Sequence, residues 1–164
     1  MRLNKGFTLI ELIVVIVILG IIVVTAMPRL MDFKQDSVVA SMEALKGGID
    51  SAAKLVFAEA VLNDQHEQTN TSIVINGESV TLQFGYPAGT ADGIVKVMNI
   101  NMGDWNANIR DKDWHSRTST NAGQWIFWHG SIEQDAGLAN CYIRYRPAPA
   151  IGQLPITSLI TSGC

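Results

Sequence analysis

Glu11 is the residue whose placement most demands a chemical reason. It is the one ionisable side chain in an apolar run from Gly6 to Pro28 (GFTLIELIVVIVILGIIVVTAMP). A carboxylate inside a segment of membrane length costs free energy on insertion, and an ordinary anchor has no use for one. The short leader ahead of the run has Arg2 and Lys5 as its charged side chains and ends in Gly6, a small residue that a peptidase can accommodate. Cleavage between Gly6 and Phe7 creates an amino group about one helical turn before Glu11. The chemistry on offer is ion pairing, within one chain or from Glu11 of one copy to the Phe7 amine of the next. Such a pair is stronger in lipid than in water.

Other chemistries fare less well. Asp111 and Asp113 suggest a metal or acid/base pair by proximity alone, and no Ser/His/Asp order in a supporting context, glycine-rich phosphate loop or H-E-x-x-H motif is present. The chain reads as a non-enzyme without a cofactor. Cys141 and Cys164 are the two cysteines, and in an oxidising compartment such a pair at the end of a small exported domain is most simply a disulfide. Zinc is the rival, but His115 and His129 lack the paired spacing of a zinc site, so no metal is expected. A signal peptide is the rival for the apolar run. The small residue precedes the run, however, and no Ala-x-Ala site with a natural stop follows it, so the run is expected to stay in the mature chain.

The elements that must position Glu11 begin with a helix. Phe7 to Met27 covers about 31 Å as a helix, enough to cross a bilayer core. The basic leader places its own end in the cytoplasm and the remainder across the membrane. Beyond Pro28, which is expected to kink the helix, the apolar positions become one-sided: Val38, Met42, Leu45, Ile49, Ala52, Val56 and Ala60 share a face. Asp36, Glu43, Lys46, Asp50, Lys54 and Glu59 occupy the other side. One helix to about Leu62 follows, with Gly47-Gly48 as a weak point or a site of close packing against a sheet.

Asn63-Asp64 ends the helix, and Asn76-Gly77 between two alternating runs predicts a type I′ hairpin. Asp92 is expected to cap a short helix holding Ile94, Val97 and Met98, with a strand as the alternative, and residues 103 to 123 read as a surface loop. Strands are expected over residues 124 to 129, 141 to 146 and 156 to 160. Trp125 and Phe127 should face one side of their strand, with Ile126 and Trp128 on the other. The expected fold is α+β: a long N-terminal helix, half of it transmembrane, packed against a C-terminal antiparallel sheet. Its parts are a leader (1–6), a transmembrane and assembly half-helix (7–28), an amphipathic half-helix (29–62) and a globular head (63–164). Removing the leader changes the formal charge from −3 to −5, ten basic side chains against fifteen acidic. That balance, with no basic patch interleaved with aromatics, argues against nucleic acid as the main partner.

Gly6 followed by Phe7-Thr8-Leu9-Ile10-Glu11-Leu12, then Gly20 and Pro28, resembles the class III signal and N-terminal helix of type IV pilins. That resemblance implies a prepilin peptidase that cuts after Gly6 and methylates Phe7, with Glu11 as the assembly glutamate and Pro28 at the helix kink. It also implies an inner-membrane platform that polymerises copies of the chain into a filament, together with minor pilins. The chain would be a single-pass inner-membrane protein with a periplasmic C-terminus before assembly, and part of an extracellular pilus afterwards.

Cys141 and Cys164 match the C-terminal disulfide of many type IV pilins. Residues 25–29, 44–49, 75–78, 84–87, 141–145 and 161–164 resemble the mannose-sensitive hemagglutinin (MSHA) group. That narrower resemblance implies attachment and biofilm formation. A minor pilin or a type II secretion pseudopilin is the alternative. Trp105 and Trp114, in the expected loop, are candidates for contact with host or surface glycans, a neighbouring pilin or calcium, against ordinary anchoring of the loop.

Overall fold

The computed structural model describes residues 7–104, 111–119, 123–132 and 140–164, without the side chains of 28–32 and 104. It divides into two compact units, Met1–Ser37 and Val38–Cys164. Helix α1 runs from Leu9 to Leu62, 54 residues. In the first unit its window Leu9–Met27 is apolar and long enough to cross a membrane, with a mean hydropathy of 3.1 and no part buried by the chain itself. Uniform apolarity around a helix is what lipid, or other helices, must cover. The expected kink at Pro28 lies outside the described side chains.

In the second unit the helix becomes amphipathic and enters two cores. Val38, Met42, Leu45, Ile49 and Ala53 pack with Tyr86, Ile94, Trp125, Phe127, Ile143 and Tyr145. One turn later Val56 and Ala60 pack with Ile73, Val80 and Leu82. Ala53, not the expected Ala52, takes the buried position, a shift of one residue by which the stripe follows the 3.6-residue helical repeat. Gly47 and Gly48 are exposed; nothing lies within 4 Å of a Cβ at Gly47, and only the Met98 methyl, at 3.5 Å, meets one at Gly48. Close packing against the sheet is therefore not their role.

The head is built of two sheets, where one was expected. β1 (Thr69–Ile75), β2 (Glu78–Gln83) and β3 (Tyr86–Pro87) form an antiparallel sheet in that order. The β1–β2 turn is the predicted one, with Asn76 at φ 52° and Gly77 at φ 84°, both positive as a type I′ turn requires. A second two-residue turn was not foreseen. Phe84 (φ 49°) and Gly85 (φ 80°) reverse the chain so that Gln83 pairs with Tyr86. A left-handed phenylalanine costs about 1–2 kcal/mol, and the ring recovers part of this by packing on the main core. Gly85 is constrained twice, because a Cβ there would also lie 2.9 Å from the His66 backbone.

The second sheet has the order β4 (Met102–Asp104), β5 (Trp114–Thr118), β6 (Trp125–His129), β7 (Tyr142–Arg146), β8 (Ile156–Ile160). It is antiparallel except that β4 pairs parallel with β5. β5 and the last two residues of β4 lie within residues 103 to 123, which are therefore not a loop throughout. The sequence of β5, Trp-His-Ser-Arg-Thr, shows no apolar alternation; its pairing with β6 makes it a strand. The short helix after β3 is a π-helical turn, Ala91–Val95, with Thr90 at the capping position in place of Asp92. Asp92 instead pairs with Lys96 at 3.2 Å, one turn on.

β6 presents its faces as its alternation predicts. Trp125 and Phe127 enter the core beneath the helix, and Ile126 and Trp128 join Tyr142 in a separate cluster. The two sheets are stitched together by the buried Tyr145 hydroxyl, which donates to the Pro87 carbonyl at 2.8 Å. Gln83 Nε2 donates to the Ala148 carbonyl at 2.9 Å across the same junction.

Candidate functional site

Helix α1 opens with Thr8 immediately before Leu9 and Glu11 three residues after Thr8. The first backbone N–H groups of a helix have no partner within it. Here the Thr8 amide and the Thr8 hydroxyl each donate to Glu11 Oε2 at 2.8 Å. The Glu11 amide in turn donates to Thr8 Oγ1 at 3.3 Å. This is a reciprocal capping box. The spacing Thr8-x-x-Glu11 ahead of an apolar run is its sequence signature, and sequence reasoning directed at the Phe7 amine passed it over.

The cap changes what Glu11 can do. All four groups belong to residues downstream of the Gly6-Phe7 junction, so the cap is compatible with either form of the chain. It holds the carboxylate at the head of the helix, near the N-terminal end of the dipole, where negative charge is favoured. It occupies Oε2 and leaves Oε1 without a hydrogen bond among the described residues. One oxygen is thus spent on shaping the helix end, and the other is free for a cation. Gly6 lies outside the described residues; Phe7 is exposed, as is the apolar window behind it except for half-buried Ala26.

The remaining sequence-derived candidates are scattered. Cys141 and Cys164 form a disulfide, with a Cα separation of 4.9 Å and a separation of 23 positions in sequence. It lies against Met42 of the helix, whose sulfur is 3.5 Å from Cys141 Sγ. The bridge therefore ties the end of the chain to β7 beside the main core. Trp114 is half-buried in β5, its ring edge-on to His129 across the strand pair, rather than on an exposed loop. Trp105 lies outside the described residues. Asn101 Nδ2 donates to Asp113 at 3.1 Å. No group of three or more potential metal ligands occurs among the described residues.

Two phenols are perturbed by the fold. Burial, then the neighbouring Tyr86 and Asp50, pushes Tyr145 far above the ordinary range of a phenol. Burial also raises Tyr86. Both are structural groups at the junction of the sheets.

Residues 1–27 match the family model of the prokaryotic N-terminal methylation motif. Over 56 residues the chain is 43% identical to the type IV narrow pilus major component PilA5 of Thermus thermophilus; the match covers 34% of this chain and 48% of the relative. The matched stretch thus spans about half the length of that relative. No solved structure matches the chain. The chain thus carries the N-terminal methylation motif at the head of an apolar helix and, over part of its length, is similar to a type IV pilus component.

Proposed function

We propose that the chain is the subunit of a type IV pilus of the MSHA kind, cut after Gly6, methylated on Phe7 and polymerised into a surface filament for adhesion and biofilm formation. The observation that carries this reading is the half-occupied carboxylate of Glu11 at the head of an apolar helix that the chain leaves uncovered. Methylation leaves an amine its charge, so a methylated Phe7 of one copy remains a partner for the free oxygen of Glu11 in another. Each helix moving from lipid into a bundle of its own kind exchanges acyl-chain contacts for packed side chains. The Glu11 pair then fixes the register of the bundle. That is the use of a charge in an apolar seam which is best attested elsewhere.

The partners on this reading are further copies of the chain, the prepilin peptidase and methyltransferase, an inner-membrane platform and minor pilins. The precursor sits in the inner membrane with its head outside the cytoplasm. Surface glycans are the targets of adhesion.

The test separates processing from assembly. Glu11→Ala should give a mature protein whose N-terminus, read by mass spectrometry, is methyl-Phe7, yet which accumulates in the membrane fraction in place of sheared filaments. Filaments of Glu11→Ala at the wild-type level would defeat the assembly role. An intact Gly6-Phe7 bond in mature wild-type protein would defeat the processing role.

A further inference from the structure

The face of the five-stranded sheet opposite the helix has a charge pattern that the pilin reading does not use. Arg117 pairs with Ile126, and Ile126 pairs with Arg144, so two arginines flank one isoleucine in a single row across three strands, about 10 Å apart. Arg146 follows Arg144 on the same face and is exposed. Phe127 pairs with Ile143, which makes Trp128 and Tyr142 neighbours in the next row.

Both guanidinium groups lean over that next row. The Arg117 guanidinium lies 5.8 Å from the centre of the Trp128 ring, and that of Arg144 lies 5.3 Å from the centre of the Tyr142 ring. Arg144 Nη2 also donates to the Tyr142 hydroxyl at 2.7 Å, while its buried Nε has no partner among the described residues. Aromatic faces hold the cations flat against the sheet and strip water from one side of them.

Among the described residues no carboxylate pairs with these charges. The ion pairs among the described residues belong to Lys46, His66 and Lys96, and β5, β6, β7 and β8 contain no acidic residue. Three arginines therefore stand on one face of a net acidic chain, Arg117 and Arg144 half-buried and pre-oriented by rings and Arg146 exposed, and none of them has an ion pair among the described residues. A planar fork of this kind recognises a carboxylate, sulfate or phosphate through paired bonds.

We propose that this face binds an acidic polysaccharide through its sulfate or carboxylate groups. Oxyanions repeated along a sugar chain meet successive arginines of the row. Nucleic acid fits less well: single strands are held by stacking bases on open aromatic rings, and Trp128 and Tyr142 are both buried. The site is distinct from Trp114, which faces the main core, and requires only the folded head, not the filament.

The experiment uses the full chain in a non-ionic detergent, loaded at low salt on immobilised heparin and, separately, on immobilised alginate. The wild type should be retained and eluted by salt. Arg146→Gln, at an exposed position that threatens no packing, should elute at lower salt, and Arg117→Gln/Arg144→Gln should bind at least tenfold more weakly. Lys54→Gln, which removes the same charge elsewhere, should elute with the wild type. Glu11→Ala should do so as well, so that a failure of filament assembly leaves this result unaffected. Flow-through of the wild type on both columns, wild-type elution of Arg146→Gln or of the double variant, or an equal shift with Lys54→Gln would overturn the proposal. Tighter retention of the wild type on a single-stranded oligonucleotide than on either polysaccharide would overturn the ligand class.

Discussion

Replacing Tyr145 with phenylalanine removes one oxygen from the junction between the two sheets. The ring is fully buried, and its hydroxyl donates to the Pro87 carbonyl at 2.8 Å. Deleting the donor forfeits a hydrogen bond and leaves a buried carbonyl short of a partner, a loss of about 1–3 kcal/mol. With a urea slope of about 2 kcal/mol per molar, the unfolding midpoint should fall by roughly 0.5 to 1.5 M.

All four tryptophans lie beyond the apolar window, so their fluorescence reports unfolding of the head without interference from the detergent-bound segment. The same variant carries a second signature. Burial holds the folded Tyr145 pKa above its unfolded value, near 10, so its contribution to stability is complete below about pH 10 and declines as pH rises further. Above that point each phenol that stays protonated only in the folded state costs about 1.4 kcal/mol of stability per pH unit. Tyr145→Phe should flatten this alkaline decline without abolishing it, because Tyr86 is raised by burial too. An unchanged midpoint at neutral pH, or an alkaline decline as steep as that of the wild type, would refute the reasoning.

The disulfide and two glycines give further tests. Cys141→Ala/Cys164→Ala should lower the stability of the head by about 3 kcal/mol, the chain-entropy value for a loop of this length, visible as an earlier urea midpoint of the tryptophan signal. A Cβ at Gly93 would fall on the carbonyl of Ala88, so Gly93→Ala should destabilise by about 1–3 kcal/mol in the same assay. Gly47→Ala enters open space on an exposed helix face and should raise the midpoint by an amount worth about 1 kcal/mol. Equal effects of the two glycine substitutions would show that helix propensity, not space, governs both.

What was legible in the sequence was whatever depends on neighbours along the chain. Apolarity from Phe7 to Met27 marks a helix long enough to cross a bilayer, since the bilayer thickness sets that length. The spacing from Val38 to Ala60 defines a buried helical stripe, and Asn76-Gly77 defines a turn, since these two residue types accept positive φ readily. The alternation of β6 assigned its two faces correctly. Glu11 announced itself by being an acid where no acid belongs.

Tertiary structure alone decided the features that depend on strands remote in sequence. β5 has no periodicity of its own and is a strand because β6 lies beside it. Phe84 occupies a left-handed turn that its residue type disfavours, held there by the pairing of Gln83 with Tyr86 and by burial of its ring. Arg117 and Arg144 are 27 positions apart in the chain, and only the register of three strands places them on either side of Ile126. Local propensity and hydropathy act over a few residues and leave a signature in the sequence. Strand pairing brings together residues with no local relation, and that relation exists only once the chain has folded.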